Sequence, residues 1–315
     1  MPSHVPSPTD TTDTKDTTAK TTDSGEASAV SPRNPLPARV PLKPAAALGA
    51  LASGALASLG FAPGDMWLLT LLSLSLLGLL FGDKVTARRA FTLTLLFFAA
   101  LDGITLRWLD FVMEGFGGLN FAAAALILTL FALYLALPYA LCAALSARLL
   151  GTHPVLFGAL GLPVAWLAAD YVASFLFTGF PWTYIGYTLP DSPLSSYAPL
   201  LGVRGLNLLL VVLAMCLTQA VRRRFWLLPP AALLAMGALL LQGITYTGPA
   251  GTQEVALVQA NIRQELKWTA AEVDHTLATY WALTREHLKH KRLIVWPESA
   301  IPLYVDQAGQ FLSDL

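Results

Sequence analysis

Apolar residues gather into about seven long runs between residues 45 and 246, and short polar or proline-containing connections separate them. A helix that crosses the hydrocarbon core of a bilayer needs roughly 20 apolar residues, because only internal hydrogen bonds satisfy its backbone there. The pattern therefore predicts a multi-pass α-helical membrane domain with about seven spans. The runs fall near residues 45–61, 66–82, 90–108, 121–148, 155–177, 197–220 and 225–246.

Small residues recur at every fourth position of the first run. Such spacing lets two helix backbones approach closely. Chance in an alanine-rich helix explains the spacing equally well, so both interpretations stay open. The two series are Gly49, Ser53, Ala57 and Ala50, Gly54, Ser58.

The pattern changes after residue 250, where a soluble unit is predicted to begin. Glu254–Ala260 and Arg292–Trp296 are typical of buried strands, and the segment between them carries apolar residues at helical spacing. This order predicts the start of an α/β layered domain with a right-handed crossover. Roughly 60 residues in this order cannot enclose a core of their own, so we expect the chain to stop inside a domain.

Residues 1–43 are rich in Thr, Ser, Asp, Lys and Pro and hold almost no large apolar side chains. Such a composition cannot offset the entropy lost on ordering, so we predict a disordered N-terminal tail. It lacks the features of a secretory signal, so the first span would itself direct insertion. The predicted organisation is a tail over 1–43, a transmembrane domain over 44–248 and an incomplete α/β domain over 252–315.

The distribution of Lys and Arg among the connections predicts how the chain threads the membrane. Positively charged loops stay in the cytoplasm, and basic residues cluster before the first span and after the second, fourth and sixth spans. The N-terminus is therefore predicted to be cytoplasmic, and an odd number of spans delivers the residues after about 248 to the extracytoplasmic side.

Composition supports a membrane protein, with 55% hydrophobic and 13% charged residues and a mean hydropathy of +0.57. The formal net charge is zero, so no basic surface indicates a nucleic-acid partner. The two cysteines, Cys142 and Cys216, lie inside apolar runs and are interpreted as small core residues. No disulfide framework, metal site or glycine-rich phosphate loop is indicated, so no cofactor is predicted.

The segment Trp296-Pro297-Glu298 ends the second predicted strand, at the edge where open α/β sheets bind ligands. Pro297 and Pro302 stiffen the turn and remove two backbone donors, which would hold the Glu298 carboxylate in a fixed pose. A carboxylate crowded by Trp296 suits a general base. An ordinary solvated glutamate at a strand end is the alternative that spacing alone leaves open.

Several short motifs follow one another along the chain. The most specific is Thr178-Gly179-Phe180-Pro181-Trp182. The others are Gly60-Phe61-Ala62-Pro63 before Trp67, Arg107-Trp108 with Phe116-Gly117-Gly118, Gly186-Tyr187, Ala198-Pro199 with Gly202-Val203, Val255 to Ile262, Lys267-Trp268 and Leu293 to Pro302. From about residue 45 to the end, the chain resembles the apolipoprotein N-acyltransferases, membrane-embedded members of the nitrilase (carbon–nitrogen hydrolase) superfamily.

The resemblance implies acyl transfer at the bacterial cytoplasmic (inner) membrane. A cysteine thiolate takes a fatty acyl chain from a phospholipid as a thioester. It then passes the chain to the α-amino group of the diacylglyceryl-modified N-terminal cysteine of an apolipoprotein. Glu298 matches the general base of the family, and Trp268 matches a tryptophan near the substrate channel, a core aromatic being its alternative role. No metal or cofactor is implied, and a monomer in contact with membrane lipid is expected.

The catalytic lysine and cysteine of the family lie downstream of the glutamate, and no Lys or Cys follows Glu298 in this sequence. Cys142 and Cys216 are predicted to lie within spans, and every lysine precedes Glu298, so none of them matches. The closing transmembrane helix of the family is missing too. We therefore expect the chain alone to be catalytically incomplete.

Phe180, Pro181 and Trp182 belong to an aromatic stretch that is predicted to face outward. Such residues often form an interfacial belt, whereas the resemblance makes them a candidate wall of a lipid access site. Three ionisable residues lie in or beside spans, where their cost favours a function: Asp102, Arg107 and Asp170. Snorkelling to the interface is the alternative for Arg107.

Two other functions stay open. A membrane-tethered carbon–nitrogen hydrolase or amidase shares the glutamate and the α/β domain but not the Gly-Phe-Pro-Trp motif. A transporter or scaffold with an inert soluble appendage is favoured by broken helices and paired midplane charges, whereas this sequence has mainly continuous apolar runs.

Overall fold

The computed structural model describes residues 42–289 and 293–314, which are mostly helical. The predicted disordered tail lies almost entirely outside these residues. The helices are α1 (Pro44–Ser58), α2 (Trp67–Leu80), α3 (Ala87–Thr105), α4 (Trp108–Gly115), α5 (Phe121–Leu150), α6 (Pro154–Ala173, with a π-helical turn), α7 (Ala198–Val221), α8 (Leu228–Leu241), α9 (Ala270–Arg285) and α10 (Gly309–Asp314). The strands are β1 (Val255–Leu257) and β2 (Leu293–Val295).

Three helical segments are long and apolar enough to cross a membrane: α5, α6 and the stretch Pro193–Val221 that contains α7. A fourth results if α3 and α4, which meet at a bend of 56°, count as one span. The other apolar helices, α1, α2 and the stretch Phe225–Leu241, are shorter. The predicted helical membrane class is confirmed at the level of three or four candidate spans, and the total of about seven stays a prediction.

Side-chain caps and charges explain where the helices begin and end. The Asn120 carboxamide oxygen accepts from the Ala123 amide at 2.9 Å, which fixes the start of α5. The helix α3 ends at Thr105, before the predicted end of its apolar run at residue 108. Arg107 follows this end, and its side chain is 72% exposed. The chain therefore bends next to an exposed arginine side chain.

Aromatic side chains form the centre of the helical domain. Phe98 of α3 stacks on Tyr139 of α5 with ring centroids 3.9 Å apart, and Trp166 of α6 packs on Phe98 at 4.8 Å. Phe97 also contacts Trp166, with ring centroids 6.2 Å apart. Large rings bury much apolar area and prefer such offset or edge contacts, so this cluster joins α3, α5 and α6.

Basic side chains close one end of the helical domain, where α2 ends and α3 begins. Arg89 Nη2 donates to the Leu80 carbonyl at 2.7 Å, and Arg222 Nη2 donates to the Gly78 and Leu79 carbonyls at 3.3 Å. These are among the last carbonyls of α2, which lack partners within the helix and carry partial negative charge. Basic residues that follow the second and sixth apolar runs therefore also bind the C-terminal end of α2.

The small residues of α1 pack against neighbouring helices. The Ser53 and Ser73 hydroxyls each donate to the carbonyl of the other residue, at 3.3 and 2.5 Å. A Cβ atom added at Gly54 would meet the Phe97 carbonyl of α3 and lie 3.1 Å from the Ala100 Cβ. The packing-face interpretation is confirmed, since these residues of α1 are buried: Ala46, Ala50, Ser53, Gly54 and Ala57.

We expect Gly54→Ala to lower the free energy of unfolding by about 1–3 kcal/mol, because the added methyl group forces α1 and α3 apart. The matched control is Gly103→Ala in α3, where an added Cβ meets no atom within 4 Å. That change should leave stability unchanged or raise it by up to about 1 kcal/mol, since alanine favours helix. Thermal unfolding in detergent micelles measures both, and equal midpoints would contradict the close helix contact.

The chain after residue 250 folds as predicted into strand, helix and strand. β1 and β2 pair in parallel with Ala256 opposite Ile294, and α9 connects them. Val258, Tyr280 and Ala300 form the buried core between helix and sheet. β1 is shorter than the predicted run Glu254–Ala260. β2 spans three described residues, and Arg292, the predicted start of its run, lies outside the described residues.

Candidate functional site

Glu298 lies in the turn after β2, at the carboxyl edge of the parallel pair, as predicted. Ser299 adopts φ of +56°, and Asn261 in the loop after β1 adopts +53°. Such values are strained for residues other than glycine and are enriched at functional sites. The two loops at this edge thus both contain strained backbone.

The Glu298 side chain is exposed to solvent. The sequence predicted instead that Trp296 crowds this carboxylate. The Trp296 indole packs on α9, where its Nε1 donates to Thr284 Oγ1 at 2.9 Å and its ring contacts Tyr280 at 5.1 Å. The tryptophan therefore anchors the turn to α9 and leaves the carboxylate accessible.

Lys267 connects the two loops of this edge. Its Nζ donates to the Glu298 backbone carbonyl at 3.1 Å. Lys267 precedes Trp268, whose side chain is 62% exposed. Sequence reasoning set Lys267 aside because it precedes the glutamate, and its spacing gave no sign of this contact. The hydrogen bond brings the loop of Trp268 to the turn of Glu298.

Phe180, Pro181 and Trp182 lie in the aromatic segment, defined here as residues 177–187. Phe180 packs edge-on against Phe131 of α5 at 5.0 Å, and Trp182 lies 5.5 Å from Trp108 of α4. Pro181 is exposed. Across the described residues, no hydrogen bond or ring contact links these three to Glu298 or Trp268. The structure therefore groups the predicted site residues into two separate sets.

The backbone of the aromatic segment is strained at its start. Phe177, Thr178 and Gly179 have φ of +44°, +72° and +81°, and only glycine adopts such values without cost. Each non-glycine residue in this region costs on the order of 1–3 kcal/mol. The surrounding packing must therefore hold the segment in this conformation.

A cavity of about 430 Å³ opens between the aromatic segment and the start of α7. The side chains of Phe180, Pro181, Tyr184 and Tyr187 contribute one wall, and residues 201–204 contribute the other. Its volume falls in the range typical of small-molecule sites. Phe180 and Pro181, predicted as lipid contacts, thus line a cavity.

Asp170 is buried beneath this cavity in a polar network. Its carboxylate accepts from Tyr139 Oη and from Asn207 Nδ2, both at 2.6 Å. Asn207 Oδ1 in turn accepts from the Gly186 amide at 2.6 Å, and Tyr184 Oη donates to the Asp170 carbonyl at 3.3 Å. The network ties α5, α6 and α7 to the aromatic segment. Polar residues within apolar runs were its sequence signal, but their pairing was not predictable.

The other two ionisable residues have different surroundings. Arg107 is exposed and lies 3.9 Å from Asp110, a pair that adds little stability, and the snorkelling interpretation stays a prediction. Asp102 is buried in α3 with the Thr183 hydroxyl of the aromatic segment as a polar neighbour. Cys142 and Cys216 lie on α5 and α7, and the second is buried. Within residues 42–289 and 293–314, no group of three or more His, Cys, Asp or Glu side chains is placed to hold a metal ion.

Comparison with known proteins agrees with the motifs. Residues 53–216 match the family described as apolipoprotein N-acyltransferase N-terminal domain. The chain is 37% identical over 270 residues to an apolipoprotein N-acyltransferase of Photobacterium profundum, covering 84% of this chain and 52% of the relative. Apolipoprotein N-acyltransferases of Vibrio vulnificus and Methylococcus capsulatus are both 36% identical, covering 83% and 86% of this chain and 52% and 54% of the relatives. The chain spans about half the length of these relatives. It belongs to the family of the apolipoprotein N-acyltransferase N-terminal domain.

Proposed function

We propose that this chain is part of an apolipoprotein N-acyltransferase, which moves a fatty acyl chain from a phospholipid to the α-amino group of the S-diacylglyceryl cysteine of an apolipoprotein. The observation that carries the proposal is the joint presence, in one chain of this family, of the Gly-Phe-Pro-Trp segment among membrane helices and Glu298 at a parallel strand edge. A hydrolase without a lipid substrate has no use for the first feature.

In the proposed reaction, the Glu298 carboxylate takes a proton from a cysteine thiol, and the thiolate attacks the ester carbonyl of the phospholipid. The ester C–O bond breaks, and the lysophospholipid leaves with the proton. The amine of the acceptor then attacks the thioester, which forms an amide and returns the thiol. The thiol and the oxyanion-stabilising lysine do not follow Glu298 within these 315 residues, so the reaction is proposed for the whole protein.

The proposed function assigns a role to each of the two units that the sequence predicts. Residues 44–248 form a membrane unit of about seven spans, and Phe180, Pro181 and Trp182 form the wall along which the lipid approaches. Residues 252–315 begin the nitrilase-like domain, with Trp268 at the substrate channel. The exposed rings of Trp182 and Trp268, 60% and 62% accessible, support contact with an apolar ligand.

The proposed topology puts the basic end of the helical domain in the cytoplasm and residues after about 248 outside it. We expect a cysteine at Val305, which is 83% exposed, to react with an impermeant maleimide in intact spheroplasts. A cysteine at Asp83, exposed at the basic end, should react only after the membrane is opened. Both are placed in a background with Cys142 and Cys216 changed to alanine. Labelling of position 83 but not position 305 in intact spheroplasts would contradict both the proposed topology and the proposed function.

The activity is tested with the protein expressed from the complete reading frame of its gene. A phospholipid with a labelled acyl chain and a diacylated lipopeptide are the substrates. The expected result is transfer of the label to the peptide amine. Release of the label only as free fatty acid, or cleavage of an amide without acyl transfer, would favour the carbon–nitrogen hydrolase alternative.

A further inference from the structure

One positively charged side chain, Arg204, lines the cavity beside the aromatic segment, and the proposed reaction does not use it. Of the described residues that line it, Arg204 alone carries a formal charge. The remaining lining consists of aromatic and aliphatic side chains, glycine, and the hydroxyls of Ser174 and Thr178. A half-buried guanidinium group in such a cavity is costly unless an anion or a polar group faces it.

The groups around Arg204 leave its N–H donors available. Its guanidinium carbon lies over the Tyr171 ring, 5.7 Å from the ring centroid, which is a cation–π contact and not a hydrogen bond. The buried Asp170 attracts it, but the two oxygens of that carboxylate already accept from Tyr139 and Asn207. Among the described residues, Arg204 forms no ion pair or hydrogen bond.

The backbone opens the cavity at the same place. Gly202 adopts φ of +64° and breaks the helical geometry of α7, so regular helix resumes just before Arg204. A Cβ atom at Gly202 would meet no atom within 4 Å, which leaves room for a ligand beside the arginine.

We propose that this cavity binds the phosphate group of a glycerophospholipid, with the Arg204 guanidinium donating to the phosphate oxygens. The planar guanidinium group of arginine can donate two parallel hydrogen bonds to a phosphate, which no other basic side chain can do. The inference deepens the proposed function and rests on it, because it makes the lipid the acyl donor.

Apolar surroundings favour a lipid over free phosphate as the source of the anion. Leu200 and Leu201 at the start of α7 are 54% and 49% exposed, and Phe177 is 87% exposed. Leu201 lines the cavity, and Leu200 and Phe177 are chain neighbours of lining residues, so acyl chains attached to a bound phosphate would meet apolar surface here. Inorganic phosphate would leave this apolar surface without a partner.

The test measures binding apart from catalysis. The chain is purified in neutral detergent and titrated with labelled phosphatidylglycerol, with diacylglycerol of the same acyl chains, and with inorganic phosphate. We expect Arg204→Gln to weaken phosphatidylglycerol binding about tenfold to a hundredfold, the range for a charged hydrogen bond, and to leave diacylglycerol binding unchanged. Arg204→Lys, which keeps the charge and loses the planar donors, should fall between.

The matched control is Arg107→Gln, which removes an exposed arginine outside the cavity lining and should change binding by less than about twofold. Thermal unfolding of each variant separates lost binding from lost folding. Equal phosphatidylglycerol binding by a folded Arg204→Gln variant would overturn the inference. So would binding of inorganic phosphate, dependent on Arg204, without binding of the lipid.

The two proposals fail in different ways. If phosphatidylglycerol binds through Arg204 but the complete protein transfers no acyl chain, the cavity assignment stands and the acyltransferase function falls. If the complete protein transfers acyl chains and Arg204→Gln binds lipid normally, the function stands and the cavity assignment falls.

Discussion

Glu298→Gln is expected to lower acyl transfer by the complete protein by about 10²- to 10⁴-fold, the contribution of a positioned general base. Glutamine keeps the size of the side chain, but it replaces one acceptor oxygen by an amide donor and cannot take the proton from the thiol. Because the Glu298 side chain is exposed, the substitution should leave folding intact. Formation of the thioester, followed with labelled phospholipid, measures the affected step directly.

The control for this experiment is Glu286→Gln at the end of α9, which is also exposed. It should retain full activity. A Glu298→Gln variant with more than about a third of normal activity would remove this carboxylate from the mechanism, since general-base catalysis contributes at least about 10²-fold. Phospholipid binding at the cavity should be unchanged in both variants, which separates base catalysis from lipid recognition.

Asp170→Leu is expected to lower the free energy of unfolding by about 2–4 kcal/mol. The Tyr139 hydroxyl and the Asn207 amide would each lose a partner inside the helical domain, at about 1–3 kcal/mol apiece. Burial of the leucine side chain offsets part of this cost, roughly 1–2 kcal/mol. The orphaned donors outweigh the gain, and thermal unfolding in micelles measures the difference.

Two further variants show whether the network causes this loss. Asp191→Leu places the same residue at an exposed position and should change stability by less than about 0.5 kcal/mol. Tyr139→Phe should cost much less in the Asp170→Leu background than in the original protein, because its partner is already gone. Additive effects of the two substitutions would contradict the hydrogen-bonded pair.

Local pattern predicted the helices well and their ends less well. Asn120 and the apolar residues after it locate α5 because both the cap and the lipid-soluble surface are encoded within the segment. The run from residue 90 to 108 was predicted as one span, yet α3 ends at Thr105 and α4 departs at 56°. Composition alone does not contain that bend, which lies next to the exposed side chain of Arg107.

For the candidate site, too, the sequence predicted the position of a residue but not its contacts. The position of Glu298 at the strand edge followed from strand order, since the carboxyl ends of parallel strands share one edge. The surroundings of the carboxylate did not follow, because whether Trp296 faces Glu298 or α9 depends on the packing of Tyr280 and Thr284. Contacts between distant segments, such as Tyr139 with Asp170, are set by tertiary packing and not by spacing.

The hydrogen bond from Lys267 to the Glu298 carbonyl has a mechanical consequence. One solvent-exposed hydrogen bond joins the loop that exposes Trp268 to the turn that exposes Glu298, so separating them costs about 0.5–1.5 kcal/mol. A ligand that displaces the Trp268 indole either breaks this hydrogen bond or moves the turn of Glu298 as well. A contact at the indole can therefore change the position of the acid group only while this hydrogen bond stays intact.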